Sequence, residues 1–328
     1  MLAGAIGLAV QGCAPAAAPA HAGAGGRHAL TFAEAEDAYT SYLAASDAAA
    51  AAGDKAQGLS DVADAQWAVV HGQYTALASA GTPVTQYRYG QPAFYVPALA
   101  SYPQWFMVTV PRSTDTDGQP GAAVNTIMLF ERLKPGAAWT LNGAAALDQV
   151  LPAIAHDSDG YAIDVTTTDP RLLLRPDVVG ATQAAVVDEG PTNAAAAVIG
   201  SGPQTTGLYA AQAAYAKAEA AQGLQYQWLL QGAAFPQFEL RTADGGALVL
   251  YGMYLNTATQ HANLVPGSPI PVPAEFSPLL AAPTEIGYHA VYANWTFEYV
   301  AVDPPLTAHN AKVQVIGAGG GPSYGHAY

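Results

Sequence analysis

The stretch YPQWFMVTV (residues 102–110) is matched by FPQFELRTA (residues 235–243) later in the same chain. In both, an aromatic residue, a proline, a glutamine and a second aromatic residue lead into a predicted β-strand. A helical pattern precedes each stretch. We therefore predict an α+β fold with two modules of similar plan, each a helix or helix pair followed by a curved antiparallel sheet. The competing interpretation is a chance similarity between two strands.

The first module begins with a helix-capping signal. The Thr31 hydroxyl and the Glu34 carboxylate form a capping box, which predicts a helix that runs from there to about Ala52. A second helix is predicted from Ser60 to about Ser79, and each helix is followed by a glycine. The pattern then changes to β-forming residues, which predicts strands at 104–110, 125–133 and 138–143 and a further one at 160–167.

The second module repeats this order. Residues 207–222 have a helical pattern, and the DGG between residues 236–243 and 247–256 predicts a hairpin, with later strands at 288–302 and 312–317. Segments rich in Ala, Gly and Pro separate the parts. The predicted organisation is a lipoprotein signal peptide with lipobox at 1–13, a flexible tether at 14–30, the first module at 31–180, a linker at 181–206, the second module at 207–317 and a Gly-rich tail at 318–328.

Composition excludes several classes of protein. The chain of 328 residues has a formal net charge of −14, and nucleic-acid affinity depends on basic contacts that release counterions, so we expect no nucleic-acid partner. The single cysteine cannot form an internal disulfide, and it rules out a zinc site built from cysteine pairs. Beyond the N-terminus the chain contains no apolar run of the roughly 18 residues that a membrane-spanning helix needs.

That single cysteine, Cys13, follows a short apolar run and precedes the Ala/Pro/Gly-rich tether. With Gly12 directly before it and Val10 three places before it, the segment resembles the lipobox of bacterial lipoproteins, in which the cysteine is diacylated and becomes the new N-terminus. The start Met1-Leu2-Ala3 lacks the positive charge of an export signal, so we expect the true start codon to lie upstream. The alternative is an incidental cysteine in a disordered tail.

Four stretches together resemble a known family: EAEDAYTSYLAASDAAAAAGD (34–54), the strand at 102–110, MLFERLKPGAAWTL (128–141) and LRTADGGALVLYGM (240–253). They look like an uncharacterised group of actinobacterial secreted lipoproteins, known mainly as a domain of unknown function. The resemblance covers roughly residues 31–315. It implies modules similar to the cystatin and NTF2 folds and a location outside the cytoplasm, and it carries no active residue.

The sequence motifs that could indicate catalysis, cofactor binding or metal binding are weak matches. VIGSGPQTTG (198–207) resembles a dinucleotide-binding turn, but Thr205 takes the place of the third glycine and the segment reads better as a loop leading into a helix. GPSYG around Ser323 matches a nucleophile elbow by letters alone. HDSDG (156–160) and DTDG (115–118) are typical of turns rather than of calcium loops. We therefore predict no catalytic residue, no cofactor and no metal site.

Four of the five tryptophans, Trp105, Trp139, Trp228 and Trp295, fall on or beside predicted strands and helices, where they either fill cores or line a ligand site on a curved sheet. We expect a lipoprotein anchored through Cys13 to the outer face of the cell membrane, with a non-catalytic binding or structural role. Its partners would be the membrane, through the lipid, and an envelope protein or the cell wall. The alternative is a small-ligand receptor or an enzyme with an NTF2-like pocket between helix and sheet.

Overall fold

The computed structural model describes residues 30–116, 118–262, 270–280 and 290–327. Within these ranges the α-helices are α1 (Phe32–Ala52), α2 (Lys55–Ser60), α3 (Asp64–Ala80), α4 (Pro176–Glu189) and α5 (Leu208–Ala220). The strands are β1 (Gln86–Tyr89), β2 (Ala93–Tyr95), β3 (Gln104–Thr116), β4 (Gln119–Pro120), β5 (Val124–Arg132), β6 (Thr140–Leu147), β7 (Leu224–Gly232), β8 (Phe238–Arg241), β9 (Ala247–His261), β10 (Ala290–Asp303) and β11 (Gln314–Ala327). Mixed helix and sheet confirm the α+β class.

All described strands belong to one 11-stranded antiparallel sheet with the order β1-β3-β5-β6-β11-β10-β9-β7, and β2, β4 and β8 pair at its sides. The first half contains the meander β3-β5-β6 and the second contains β9-β10-β11. The halves join where β11 pairs with β6, at Gly317 opposite Leu147 and Ala318 opposite Ala146. The sheet is therefore continuous across the two predicted modules, and their division into domains stays a prediction.

Three large apolar clusters hold the layers together. One lies between the two halves of the sheet, where the Trp105 ring meets the Phe238 ring edge-on at 5.4 Å. A second lies between α1 and the outer face of the first half, and a third lies between α4 and the outer face of the second half. Between the halves, isolated bridges connect Ala162 to Pro97 and Asp164 to Leu240. The segment predicted as a strand at 160–167 makes only such bridges.

The predicted Gly-rich tail at 318–328 is wrong as far as residue 327, because these residues form most of β11. Glycine is required there by close approach of neighbouring strands. A Cβ on Gly319 would lie 1.8 Å from the Ala144 carbonyl oxygen, and a Cβ on Gly320, whose φ is 138°, would lie 2.2 Å from the Thr296 carbonyl oxygen. The glycines that made the segment look unstructured are the residues that let the two halves join.

The other elements follow the predictions with local differences. Helix α1 has the predicted capping box, with the Thr31 amide donating to the Glu34 carboxylate at 2.9 Å and the Glu34 amide donating to the Thr31 hydroxyl at 3.2 Å. The second helix begins later, at Asp64, after the separate helix α2. The segment 181–206, predicted as a linker, contains the rest of α4 with Val186 and Val187 buried, followed by short helical turns at Ala194–Ala197 and Pro203–Gly207.

Among the described residues no helix is long and apolar enough to cross a membrane.

Candidate functional site

Cys13, the predicted lipidation site, and most of the predicted tether lie outside the described residues. The site described here is instead a cavity of about 250 Å³ under helix α5, which we call the α5 cavity. It lies between α5, strands β7, β9 and β10, and the segment 270–280. Its lining residues are Ala211, Gln212, Tyr215, Tyr226, Thr257, Thr259, Pro273, Glu275, Val291, Ala293 and Trp295.

Aromatic rings form the walls of the α5 cavity. The Tyr215 and Tyr226 rings are 4.7 Å apart with 70° between their planes, and Tyr226 is stacked in turn with Trp228 at 6.1 Å. On strand β10, Trp295 meets the buried Phe276 edge-on at 4.3 Å. Phe276 thereby attaches the segment 270–280 to the sheet and places it against the cavity.

The local sequence explains how these side chains converge. Strand side chains alternate between faces, so in β7 Tyr226 and Trp228 point towards α5 while Gln225 and Gln227 are exposed on the other face. In α5, Tyr209, Gln212 and Tyr215 recur every three residues, and this spacing keeps them on one side of the helix.

The space itself comes from small side chains. Ala211 on the helix and Thr257, Thr259 and Ala293 on the sheet leave a gap that larger residues would fill.

Polar groups in the α5 cavity are few. The Tyr226 hydroxyl donates to the Gln212 carboxamide oxygen at 2.5 Å, and burial raises the pKa of Tyr226, so its phenol stays neutral at physiological pH. Glu275 is exposed at the edge of the cavity and contributes a carboxylate. Within the part of the chain that the structure describes, no lysine, arginine or histidine lines this cavity. The arrangement offers ring faces, neutral hydrogen-bonding groups and one negative charge.

A groove of about 420 Å³ beside α1 is larger but less suited to bind a ligand. Six of its ten lining residues come from that one helix. Its tryptophan, Trp139, is covered by the Arg132 guanidinium, which lies 4.7 Å from the ring centroid and also donates to the Gln104 carboxamide. The Trp139 ring is therefore already covered by a side chain of the same protein.

A buried group of carboxylates lies where α3 meets the sheet. The Asn142 amide nitrogen donates to Asp64 at 2.6 Å and to Glu131 at 2.8 Å, and Glu298 packs against Gly143, where an added Cβ would be 2.6 Å from the Glu298 carboxyl carbon. Burial raises the pKa of all three acids, and it raises the pKa of Glu298 to about 8 with a smaller contribution from the Asp64 charge. These side chains line none of the cavities described above, so they connect elements rather than offer a site to a ligand.

The motifs singled out in the sequence have structural explanations. The Asp157 carboxylate accepts bonds from the backbone amides of Asp159 and Tyr161, both at 2.9 Å, as expected of a turn. Thr205 donates to the Gly200 carbonyl oxygen at 2.8 Å in the loop that leads into α5. Ser323 lies on β11, where it donates to the Asn294 side chain at 2.6 Å. None of these contacts forms a nucleophile–base pair.

Of the tryptophans singled out in the sequence, Trp295 lines the cavity and Trp228 stacks on the wall residue Tyr226. The walls that Tyr215 and Tyr226 form are not among the sequence predictions. Tyr215 lies in the helical pattern predicted at 207–222. The alternation of GLQYQWLLQG (223–232), which contains Tyr226, is typical of a strand, and β7 is absent from the predicted elements. No sequence pattern indicates Glu275, because its segment has no periodicity.

Comparison with known proteins gives a family. A family model described as a domain of unknown function, DUF8094, matches residues 27–321. The chain belongs to this family. A relative from Streptomyces avermitilis, described as an uncharacterized lipoprotein, is 28% identical over 239 residues, which cover 71% of this chain and 67% of the relative. The predicted family of uncharacterised actinobacterial lipoproteins is thus confirmed. No solved structure matches the chain, and the likeness to NTF2 and cystatin folds stays a prediction.

Proposed function

We propose that this DUF8094 protein is a lipid-anchored protein of the cell envelope that binds a small ligand in the α5 cavity and has no catalytic role. The anchor would be Cys13, which would be acylated and hold the chain at the outer face of the membrane through the flexible segment 14–30. Support for the anchor comes from the lipobox pattern and from the description of the Streptomyces relative as a lipoprotein. A lipid with several acyl chains binds firmly, at about 0.8 kcal/mol per buried methylene.

The observation that carries the binding role is the α5 cavity, which combines three aromatic walls with a few neutral polar groups. Such a combination of apolar surface and a small number of oriented polar groups is typical of small-molecule sites. An enzyme of the NTF2-like kind would need a buried acid or base in the cavity. The one carboxylate in its lining, Glu275, is exposed, and this favours a receptor over an enzyme.

The anchor is tested by membrane fractionation of cells that express the full chain. We expect the wild type in the membrane fraction and Cys13→Ala in the soluble or secreted fraction. A Cys13→Ala variant that stays membrane-bound would contradict acylation at this position.

The binding role is tested by native mass spectrometry of the detergent-extracted full chain, which detects a co-purified small molecule. The variant Ala211→Trp places a large side chain at the cavity from an exposed helix position, and we expect it to lose the bound molecule. Ala214→Trp is the matched control, because Ala214 is exposed on the same helix but does not line the cavity. Equal retention by both variants would place the ligand elsewhere.

A further inference from the structure

We propose that the α5 cavity selects a small organic cation, a solute with a quaternary or otherwise alkylated ammonium group. The proposal rests on the ligand-binding function given above and adds the chemical class of the ligand.

The walls of the cavity have the geometry that such a cation needs. The faces of aromatic rings carry negative electrostatic potential and attract cations that lie within about 6 Å of the ring centre. Because the Tyr215 and Tyr226 rings are tilted by 70° to each other, they form two adjoining walls rather than one flat surface. Trp295 supplies a third wall from strand β10, and tryptophan is the strongest cation-binding ring. Rings at an angle surround a rounded ammonium group on more than one side.

The charge around the cavity has the sign that attracts a cation. Glu275 lines it, and Glu219, which is buried at the end of α5, lies one helical turn after Tyr215. Burial, followed by the charges of Glu219 and Glu275, raises the pKa of Tyr215, so both carboxylates act on the group at the cavity mouth. Since the described lining holds no basic side chain, an anionic ligand would meet repulsion without compensation.

Size sets a further limit on the ligand. Pockets for drug-sized molecules usually measure about 300–1,000 Å³, and the α5 cavity measures about 250 Å³. It therefore fits one compact head group. Tyr215 is 40% exposed, so the mouth is open and a short polar tail on the cation can extend into solvent.

The test is isothermal titration calorimetry on the detergent-extracted full chain in a non-ionic detergent at constant salt. The probes are choline, tetramethylammonium, glucose and 3,3-dimethylbutan-1-ol, which is the uncharged carbon analogue of choline. We expect saturable binding of both cations. The uncharged analogue should bind at least about tenfold more weakly, because it lacks attraction to the rings and to the carboxylates.

Two variants at exposed positions test the walls and the charge without disturbing the core. Tyr215→Leu should weaken choline binding about tenfold, and Glu275→Gln should weaken choline binding several-fold while leaving the uncharged analogue unaffected. Leu229→Ala is the control, because Leu229 is half exposed on the opposite face of β7 and should bind choline like the wild type.

The outcomes separate this proposal from the broader one. If glucose or the uncharged analogue binds as well as choline and Glu275→Gln changes nothing, the cation selectivity is wrong and the ligand-binding function stands. If no probe binds, the cation proposal is again overturned, and the co-purified molecule sought by native mass spectrometry decides the binding function separately.

Discussion

Helix α1 on the first half of the sheet and helix α5 on the second both cover outer sheet faces rich in aromatic residues, but only the first face is filled. Under α1, Phe130 stacks on Phe106 at 5.0 Å with 8° between the rings, and Tyr39 and Tyr42 meet it edge-on at 6.0 and 5.3 Å. Under α5, the aromatic side chains stand beside Ala and Thr and leave a cavity.

The difference shows that aromatic content does not decide whether a face becomes a core or a site. Under α1 the rings are neighbours of one another and pack to high density. Under α5 small residues separate the rings of Tyr226 and Trp295, and the space between them remains. A cavity between a helix and an aromatic sheet face can therefore arise through small neighbouring side chains rather than through new functional groups.

The largest loss of stability is expected from a substitution that separates the two halves of the sheet. In Gly319→Ala the new Cβ would collide with backbone of β6, and we expect a loss of about 4 kcal/mol or more in the free energy of unfolding, or failure to fold. Gly321→Ala is the matched control, because its Cβ would meet Val69 at an ordinary 3.5 Å. Urea unfolding measures both, and equal stability of the two variants would contradict the close-approach argument.

The filled face is tested by removing its central ring. Phe130→Ala deletes a fully buried ring that contacts Phe106, Tyr39 and Tyr42, and we expect a loss of about 3–5 kcal/mol in the free energy of unfolding. The measurement is again urea unfolding followed by circular dichroism. A loss below about 1 kcal/mol would mean that this face is not closely packed.

The buried carboxylates where α3 meets the sheet make stability depend on pH. The pKa of Glu298 is raised from 4.5 to about 8 in the folded protein, so its contribution to stability is complete below about pH 4.5 and is lost as pH rises through about 8. Glu298→Gln removes this titration, and relative to the wild type we expect it to gain about 4 kcal/mol in the free energy of unfolding between pH 5 and pH 8.5.

The check is a series of thermal melts across that pH range, with the wild type alongside. Glu239 and Asp303 have raised pKa values for the same reason, burial, and so part of the wild-type slope remains in the variant. An unchanged slope in Glu298→Gln would show that this group does not titrate in the range.

The smallest loss of stability is expected on the sheet face under α5, where the cavity lies. Tyr226→Leu removes a ring that already borders empty space, so we expect a loss of about 1 kcal/mol or less in the free energy of unfolding, well below that of Phe130→Ala. Urea unfolding of the two variants side by side gives the ratio. Equal losses would show that the two faces are packed alike.

Helices and strands whose signals lie within a few residues could be predicted from the chain alone. The Thr31–Glu34 capping box sets the start of α1, and the DGG turn sets the hairpin of β8 and β9, because both signals act within a few residues. The family could also be predicted from the chain alone, and the family model matches residues 27–321.

The roles of glycine and of the small residues depend on contacts that form only in the folded protein. Gly319 belongs to a strand because Ala144 of another strand lies against it, and nothing near it in the chain indicates that partner. Likewise the α5 cavity gathers Tyr215, Trp295 and Glu275 from segments far apart in the chain. A space between side chains is a property of residues that meet only after folding, and a sequence pattern of period 2 or 3.6 does not encode it.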